Sequence, residues 1–453
     1  MQIIKKIYNK VGISSNRTKN ITKHVFISFL YKGGSILSSL LMVPLTIKFL
    51  DTENYGIWLT LSSFIAWFSF FDIGLGNGLR NKFAEAKTKG DLALAKAYVS
   101  SAYFTIGSLC LVLILVFFGI NYFIDWPKVF NASIKLQKQL SILMPIVFAF
   151  FCLQLVFKLI TTIYTADQHH SMQGKINFYT SICSLVSIWV MIHFAESSLL
   201  LFGTVFSFLP VIILIYLNFF AFKGVYKDYR PSFYLWKREY LHDIFGLGIS
   251  FFIIQIAGII LFSTDNLIIT QIYGPEKVVP FNIAFKYLSI SNMVVSIILT
   301  PYWSSITEAY INEDYDWIKK SMSNLIKISL VAILFICIMV AVSPFAYKLW
   351  IGNKVVIPMS LTFFMGIYFA LTIFYGPYTY FINGTGKVRL QMYSIVITAV
   401  LNIPLSIFLA KNVGLGVSGV ILATILCLIP HVILCPLQYS KIINKRAHGI
   451  WNK

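Results

Sequence analysis

The sequence predicts an all-α integral membrane protein with about 12 transmembrane helices, arranged as two six-helix lobes around a central cationic cleft. Three observations predict this fold. The 453-residue chain is 58% hydrophobic and only 12% charged, with a mean hydropathy of +0.77. Many of its segments are apolar over a length that crosses a bilayer, and its two halves resemble each other weakly. A soluble fold could not bury so much apolar surface, whereas lipid solvates it.

Each span needs roughly 20 mostly apolar residues to cross the hydrocarbon layer. Twelve segments, called spans 1 to 12, meet this condition, approximately at 24–49, 55–76, 98–121, 140–164, 174–195, 199–222, 243–271, 278–303, 323–346, 358–382, 390–410 and 415–438. They divide the chain into a basic tail at 1–23, an N-lobe at 24–222, a linker at 223–240, a C-lobe at 241–440 and a tail at 441–453.

The distribution of positive charge predicts the orientation. With the N-terminus in the cytoplasm, the inner loops and tails hold 25 of the 37 Lys and Arg residues, and the outer loops hold eight. Because cytoplasmic loops carry the excess of Lys and Arg, we expect both termini to be cytoplasmic. The net charge of +20 then faces anionic headgroups and requires no nucleic-acid partner. Residues 3–11 predict either an interfacial helix or a disordered basic tail.

An internal repeat predicts the two lobes. Displacing the sequence by 223 residues places Glu53 on Glu276, Glu85 on Glu308, Ala86 on Ala309, Asp91 on Asp314, Lys96 on Lys319 and Ser100 on Ser323. Because each half has an even number of spans, both halves have one topology and are related by a pseudo-twofold axis along the membrane normal. Transporters built in this way hold their substrate between the repeats.

Ionisable residues inside the spans are candidates for a functional site. Lys32, Lys158 and Lys286 lie well within apolar segments, where a cation costs at least ~2.5 kcal/mol at the bilayer midplane. Such residues usually face a cavity or a charged partner and mark substrate or ion pathways. Lys327 lies nearer a helix end, so we expect its ammonium group to extend to the membrane surface.

Two carboxylates match two of these lysines in depth. Residues equidistant from the turn of a helical hairpin lie at similar depth, which pairs Asp72 with Lys32 and Asp265 with Lys286. Two interpretations stay open: structural salt bridges between helices, or charges that line a water-filled cleft and change partners during transport. Lys158 has no acidic residue of matching depth, and either reaches the surface or presents its charge to the cleft.

The sequence does not favour an enzyme. The run Gly74, Gly76 and Gly78 resembles a phosphate-binding loop only superficially. It does not follow a β-strand of a soluble domain, and its spacing matches neither GxGxxG nor GxxxxGK(S/T). No Ser/His/Asp set or carboxylate pair is placed for hydrolysis, and no Cys/His spacing is typical of a metal site. We therefore predict no catalytic residues, no metal and no organic cofactor.

Residues 49–96 carry the most specific motifs of the chain. They comprise a short turn ending in Tyr55-Gly56, the run DIGLGNGLR from Asp72 to Arg80, and the FAEA loop from Phe83 that precedes span 3. This region resembles the signature of Wzx-type polysaccharide flippases, in the multidrug/oligosaccharidyl-lipid/polysaccharide exporter superfamily. Elsewhere the resemblance extends to length, twelve spans and two lobes.

The resemblance implies a flippase that moves undecaprenyl-pyrophosphate-linked oligosaccharide units, for O-antigen or a similar surface polysaccharide, across the bacterial inner membrane by alternating access. Related lipid II flippases hold pyrophosphate with cations of spans 1, 2 and 8. Lys32, Arg80 and Lys286 lie in or at the end of these same three spans, so the resemblance implies substrate-binding roles for them. Lys158 is a further candidate. Implied partners are the lipid-linked substrate, membrane lipid, a glycan polymerase and a chain-length regulator.

Energy for transport has two candidate sources, since no ATP site is predicted. Consumption of the sugar unit outside the cell can pull the equilibrium, or a proton or sodium gradient can drive it. Ion coupling requires an acidic residue in the cleft, for which Asp72 and Asp265 are the candidates. Four aromatic residues within the spans are candidates for stacking on sugar rings, or else for packing or anchoring at the membrane interface: Trp58, Trp67, Trp189 and Trp303.

Other functions remain as alternatives. A multidrug or organic-cation antiporter of the same superfamily would need an acidic cavity to bind its cationic substrates. The three intramembrane lysines argue against such a cavity. A flippase for another lipid-linked precursor, such as that of peptidoglycan, fits the same features. A membrane glycan polymerase needs a substantial catalytic outer loop, and the longest outer loop predicted is only about 122–139.

Overall fold

The structure is a computed structural model that describes residues 16–68, 75–167, 171–240, 256–258, 260–261 and 263–452. Its secondary structure in these ranges is helical throughout. The α-helices are α1 (Asn16–Phe49), α2 (Thr52–Ala66), α3 (Leu75–Thr88), α4 (Leu92–Asn121), α5 (Trp126–Phe130), α6 (Gln137–Ala166), α7 (Ser171–Phe194), α8 (Leu199–Lys223), α9 (Asp265–Tyr273), α10 (Val278–Ile311), α11 (Tyr315–Ile351), α12 (Met359–Thr385), α13 (Arg389–Ile407) and α14 (Val417–Ile443).

Ten helices in the described part of the chain are long and apolar enough to cross a membrane. They correspond to every predicted span except spans 2 and 7. Span 2 begins as α2, whose described helix ends at Ala66, and residues 243–255 of span 7 lie outside the described ranges. The predicted interfacial helix at 3–11 also lies outside them. Helix α1 starts at Asn16, so the described part of the predicted basic tail is helical.

The internal repeat has a direct counterpart in the structure. Asp91 and Asp314, which the 223-residue displacement superposes, cap α4 and α11, the helices of spans 3 and 9. Each carboxylate accepts the N–H group three residues ahead, at 2.9 and 3.1 Å. Each aspartate also donates its own N–H to the superposed Ala86 or Ala309 carbonyl, at 3.0 and 2.9 Å. The two halves therefore repeat a conformation as well as a spacing.

The packing order within the lobes follows the same repeat. In the N-lobe, α6 packs against α4 and α8, and in the C-lobe, α12 packs against α11 and α14. Two clusters of buried apolar residues fill these lobes, one for each set of helices. The N-lobe cluster also takes in side chains from the start of α10 and the end of α11, including Ile283 and Tyr347. The lobes thus share a core at one end.

That shared end carries the turns at Asp51 and Pro275, which the sequence predicts to face outward, and we call it the predicted outer end. Here α2 contacts α9, α10 and the turn between them. The hydroxyl oxygens of Thr60 and Thr270 lie 2.6 Å apart, and a Cβ on Gly56 would lie 1.9 Å from the Pro275 carbonyl oxygen. Only glycine permits so close an approach of two backbones. The lobes are therefore in tight contact at this end.

Candidate functional site

A cavity of about 520 Å³ lies between the lobes, away from the predicted outer end. We call it the interlobe cavity. Its lining comes from α1, α6, α7, α8 and α10, as Ser35, Ile36, Ser39, Leu40, Gln154, Lys158, Thr161, Gln173, Ile176, Asn177, Thr180, Ser181, Pro210, Leu214, Lys286, Ser289, Ile290 and Met293. The α7 residues lie in the first turns of that helix, so the cavity extends from mid-depth toward the predicted cytoplasmic end.

Two of the predicted lysines meet in this cavity from opposite lobes. Lys158 is on α6 of the N-lobe and Lys286 is on α10 of the C-lobe, and both are partly buried. Among the lining residues that the structure describes, the two charged side chains are both cations. A cleft lined by one sign of charge between low-dielectric walls concentrates ligands of the opposite sign.

Hydroxyl and amide side chains form the rest of the polar lining. On α7, Gln173, Asn177 and Thr180 follow one another at helical spacing, and on α6, Gln154 precedes Lys158 by one turn. These polar residues are not among the site residues predicted from the sequence. Their spacing of three or four residues within apolar spans, which places side chains on one helix face, could have indicated them.

Lys32 lies at the rim of the interlobe cavity and does not belong to its lining. On α1 it precedes Ser35 and Ile36 by three and four residues, and Ser39 by seven, so it shares their face one turn nearer the predicted cytoplasmic end. Arg80, on α3, is exposed and is also outside the lining. Of the four predicted substrate cations, the structure therefore brings two into the cavity and places one beside it.

Asp265 and Lys286, both described, form no ion pair in this structure, and their pairing during transport stays a prediction. Asp265 is buried, and its Oδ1 atom has no hydrogen-bond partner. It lies in the C-lobe, within electrostatic range of Tyr368 on α12 and Cys427 on α14. Matched depth does not fix rotation about a helix axis, so Lys286 faces the cavity while Asp265 faces the C-lobe interior. Asp72 lies outside the described residues, and its pairing with Lys32 stays a prediction.

The C-lobe interior holds further polar atoms without partners. Asn402 donates to the Thr424 hydroxyl at 3.0 Å, but its Oδ1 is unsatisfied. Both ring nitrogens of the buried His431 also lack a hydrogen bond in the described structure. Buried polar atoms are usually satisfied, so Asp265, Asn402 and His431 stand out among the described residues of the C-lobe.

The four tryptophans considered for sugar stacking do not line the interlobe cavity. Trp58 packs edge-on against Phe202, with ring centroids 5.3 Å apart, and Trp67 donates to the Ser263 carbonyl at 3.1 Å. Trp189 and Trp303 are on exposed helix surfaces. The packing interpretation fits Trp58 and Trp67, and the polar lining of the cavity is the candidate sugar-binding surface.

Comparisons with known proteins agree with this architecture. Residues 21–307 match a family described as "Polysaccharide biosynthesis protein", and residues 250–408 match the family MatE. A protein of Yersinia pseudotuberculosis, provisionally named an O-antigen export protein, is 21% identical over 87% of this chain and 91% of its own length. A provisionally named O-antigen transporter of Salmonella typhimurium is 22% identical over 87% of this chain and 92% of its own.

Solved structures show the same fold at low sequence identity. An inward-facing multidrug resistance MATE family transporter of the MOP superfamily aligns over 93% of this chain and 98% of its own, with a TM-score of 0.73 and 13% identity. The lipid II flippase MurJ, in an inward closed conformation, aligns over 92% of this chain and 87% of its own, with a TM-score of 0.65 and 13% identity.

The first family match covers more than half of the chain and includes the motifs at 49–96. This match is consistent with the two repeated lobes and with the cavity that lies between them. The chain belongs to the polysaccharide biosynthesis protein family, and this match and the O-antigen relatives confirm its resemblance to Wzx-type flippases.

Proposed function

We propose that this protein flips undecaprenyl-pyrophosphate-linked oligosaccharide units, for O-antigen or a similar surface polysaccharide, across the bacterial inner membrane. The observation that carries the proposal is the interlobe cavity, in which Lys158 and Lys286 meet from opposite lobes. Its relatives are named as transporters, and the protein is a membrane transporter rather than an enzyme. The family supports a lipid-linked oligosaccharide as the class of substrate.

The charge of the cavity suits a diphosphate headgroup. A diphosphate cannot cross hydrocarbon unaided, because an isolated charge in a low-dielectric medium is very costly. The two ammonium groups that line the cavity supply point charges for phosphate oxygens. Since each lysine comes from a different lobe, the bound diphosphate would bridge the two bodies that must move.

The polar side chains of the cavity suit the sugar part of the substrate. Amides such as Gln173 and Asn177 both donate and accept hydrogen bonds, which matches sugar hydroxyl groups. The volume of about 520 Å³ accommodates part of an oligosaccharide and lies within the range of about 300–1,000 Å³ typical of ligand sites. The lipid tail would stay in the bilayer while the headgroup passes between the lobes.

Alternating access supplies the transport step in this proposal. The tight contact of Thr60 with Thr270 and of Gly56 with Pro275 closes the predicted outer end, while the cavity lies on the other side of that contact. Releasing the substrate outward requires this contact to open. The distribution of Lys and Arg among the loops supports cytoplasmic termini. A glycan polymerase and a chain-length regulator would then act on the exported product.

A disulfide across the predicted outer end tests this step. The Thr60 and Thr270 hydroxyl oxygens lie 2.6 Å apart, so the sulfurs of Thr60→Cys and Thr270→Cys would be in contact, and we expect them to form a disulfide on oxidation. We expect oxidation to stop glycan export and a reductant to restore it. Oxidised Thr60→Cys alone is the control. Undiminished export by the cross-linked double variant contradicts alternating access through this contact.

Ion coupling through Asp265 is the proposed energy source. Its buried carboxylate has an unsatisfied oxygen, and α13, which contacts α9, carries the unsatisfied Asn402 amide oxygen; these observations support a proton or a sodium ion as the coupling species. Such a site is separate from the interlobe cavity, because Asp265 is not among the cavity residues. Asp72 remains the second candidate.

A rescue assay tests the proposed function. A strain that makes a lipid-linked surface glycan, with its own flippase deleted, receives the wild-type gene, Lys158→Ala, Lys286→Ala or the control Lys327→Ala, which alters an intramembrane lysine outside the cavity. We expect wild type and the control to restore surface glycan, and the two cavity variants to be made and inserted without restoring it. Protection against cationic drugs without rescue of any glycan would replace the proposal with the antiporter alternative.

A further inference from the structure

A second cavity, of about 390 Å³, lies where the linker between the lobes leaves the N-lobe. We call it the linker pocket. It is formed by Lys96, Phe222, Lys223, Lys227, Arg230, Pro231 and Ser232. Four of these seven residues are cations and none is acidic. Neither the transport cycle proposed above nor the repeat requires such a concentration of positive charge.

The backbone around the linker pocket is held firmly in place. The linker folds back over the last turn of α8, where Gly224 and Tyr226 donate their N–H groups to the Phe220 and Ala221 carbonyls, each at 2.9 Å. The Tyr226 side chain is fully buried, and its hydroxyl donates to Asp167 at 3.1 Å. Burial and the Asp167 carboxylate raise the pKa of Tyr226 above its usual value, so the hydroxyl stays a donor.

The cations of the linker pocket are not neutralised by neighbours. None of the ion pairs in the described part of the chain includes Lys96, Lys223, Lys227 or Arg230. Lys223 makes a cation–π contact with Phe219, in which its ammonium group lies 4.1 Å from the ring centroid. Like charges gathered around one hollow repel each other, so the pocket favours an anion.

The position of the linker points to the membrane surface. Ser232 and Lys237 donate their N–H groups to the Ser100 and Ser101 hydroxyls, at 3.0 and 3.3 Å, and the Trp236 indole donates to Thr105 at 2.9 Å. These acceptors lie on α4, which is apolar enough to span a membrane. The linker therefore runs beside the first turns of a membrane-spanning helix.

Exposed aromatic side chains of the linker support the same position. Phe233 packs against Phe104 of α4 yet is 68% exposed, and the adjacent Tyr234 is 94% exposed. Aromatic side chains combined with cations are typical of segments that lie at the headgroup level of a bilayer. An anion that reaches the linker pocket therefore comes most readily from the lipid headgroups.

We propose that the linker pocket binds the phosphate group of an anionic phospholipid on the linker side of the membrane. Lys and Arg side chains form strong charge-assisted hydrogen bonds with phosphate oxygens. The exposed aromatic residues lie against the lipid while Lys96, Lys223, Lys227 and Arg230 surround the headgroup. The bound lipid fixes the segment that joins the two lobes. A soluble phosphate compound shares the chemistry and is the alternative source.

Native mass spectrometry of the full-length protein in detergent, titrated with phosphatidylglycerol, tests this site. The triple variant Lys223→Gln, Lys227→Gln and Arg230→Gln removes three exposed cations of the pocket. The matched control, Lys441→Gln, Lys445→Gln and Arg446→Gln, removes three cations beside the end of α14. We expect the pocket variant to bind phosphatidylglycerol at least about tenfold more weakly than wild type, and the control to stay within about twofold. Phosphatidylcholine should not distinguish the variants.

Two results overturn the proposal. Equal loss of phosphatidylglycerol in both triple variants shows that only overall charge matters. Displacement of the lipid by micromolar inorganic phosphate or pyrophosphate assigns the pocket to a soluble compound, whereas failure of millimolar phosphate to compete supports the lipid. The single variant Arg230→Gln, expected to weaken binding about threefold or more, serves if the triple variant does not remain monodisperse. Neither result depends on whether the protein flips a glycan.

Discussion

The interlobe cavity and the interior of the C-lobe both contain ionisable side chains at membrane depth, and their surroundings are opposite. In the cavity, Lys158 and Lys286 are partly buried among hydroxyl and amide side chains. In the C-lobe, Asp265 is buried among packed helices with one oxygen unsatisfied. A large, polar cavity suits a bulky anionic substrate, whereas a small unsatisfied interior site suits a small cation. Under the proposed function, the substrate and the coupling ion would therefore occupy separate sites.

Reversing charge in the interlobe cavity has the largest expected effect. Lys158→Glu with Lys286→Glu makes the cavity acidic, and like-charge contacts with a diphosphate cost several kcal/mol, so we expect glycan flipping to fall by about 100-fold or more. Folding should persist because the cavity is polar and not densely packed. Initial flipping rates in proteoliposomes measure the first quantity and the thermal midpoint in detergent measures the second. Normal flipping by the charge-reversed protein contradicts the cavity assignment.

Neutralising Asp265 tests the other side of the comparison. Asp265→Asn keeps the shape of the side chain and removes a buried charge, so we expect an equal or higher thermal midpoint. At the same time, transport driven by an imposed proton or sodium gradient should slow about tenfold, while flipping without a gradient changes little. Asp228→Asn, on the exposed linker, is the control. A lower midpoint with unchanged gradient response assigns Asp265 a structural role.

Removing single amides of the polar lining has a smaller expected effect. A hydrogen bond to a neutral group contributes about 1 kcal/mol, so Gln173→Ala or Asn177→Ala should weaken apparent substrate affinity about fivefold each. The size of the loss should depend on the sugar, unlike that at the lysines. Measuring both variants against two oligosaccharides that differ in one residue separates these cases. Identical losses for both sugars indicate that the amides bind the diphosphate instead.

Much of the fold followed from the sequence, because apolar length and loop charge are read without knowing any contact. The repeat was also readable, since Asp91 and Asp314 are helix caps and capping needs particular residue types. The site was predicted less completely. Sequence position gives the depth of Lys286 and Asp265 but not the direction each faces, which depends on how the helices pack. The amides of α7 were overlooked because no single one is costly in a membrane.

Lys32 tests the boundary of the cavity, with the smallest expected effect. It shares a helix face with Ser35 and Ser39 but lies one turn outside the lining, where it can attract an anion without holding it. Steering of this kind changes association rates and is screened by salt. We therefore expect Lys32→Gln to slow flipping about threefold at low ionic strength and scarcely at high ionic strength. Lys286→Gln should remain slow at both, because a cation that contacts the headgroup in a partly buried cavity is screened much less. If Lys32→Gln and Lys286→Gln respond alike to salt, then the rim and the lining form one binding site, and the cavity extends a full helical turn further than its lining residues indicate.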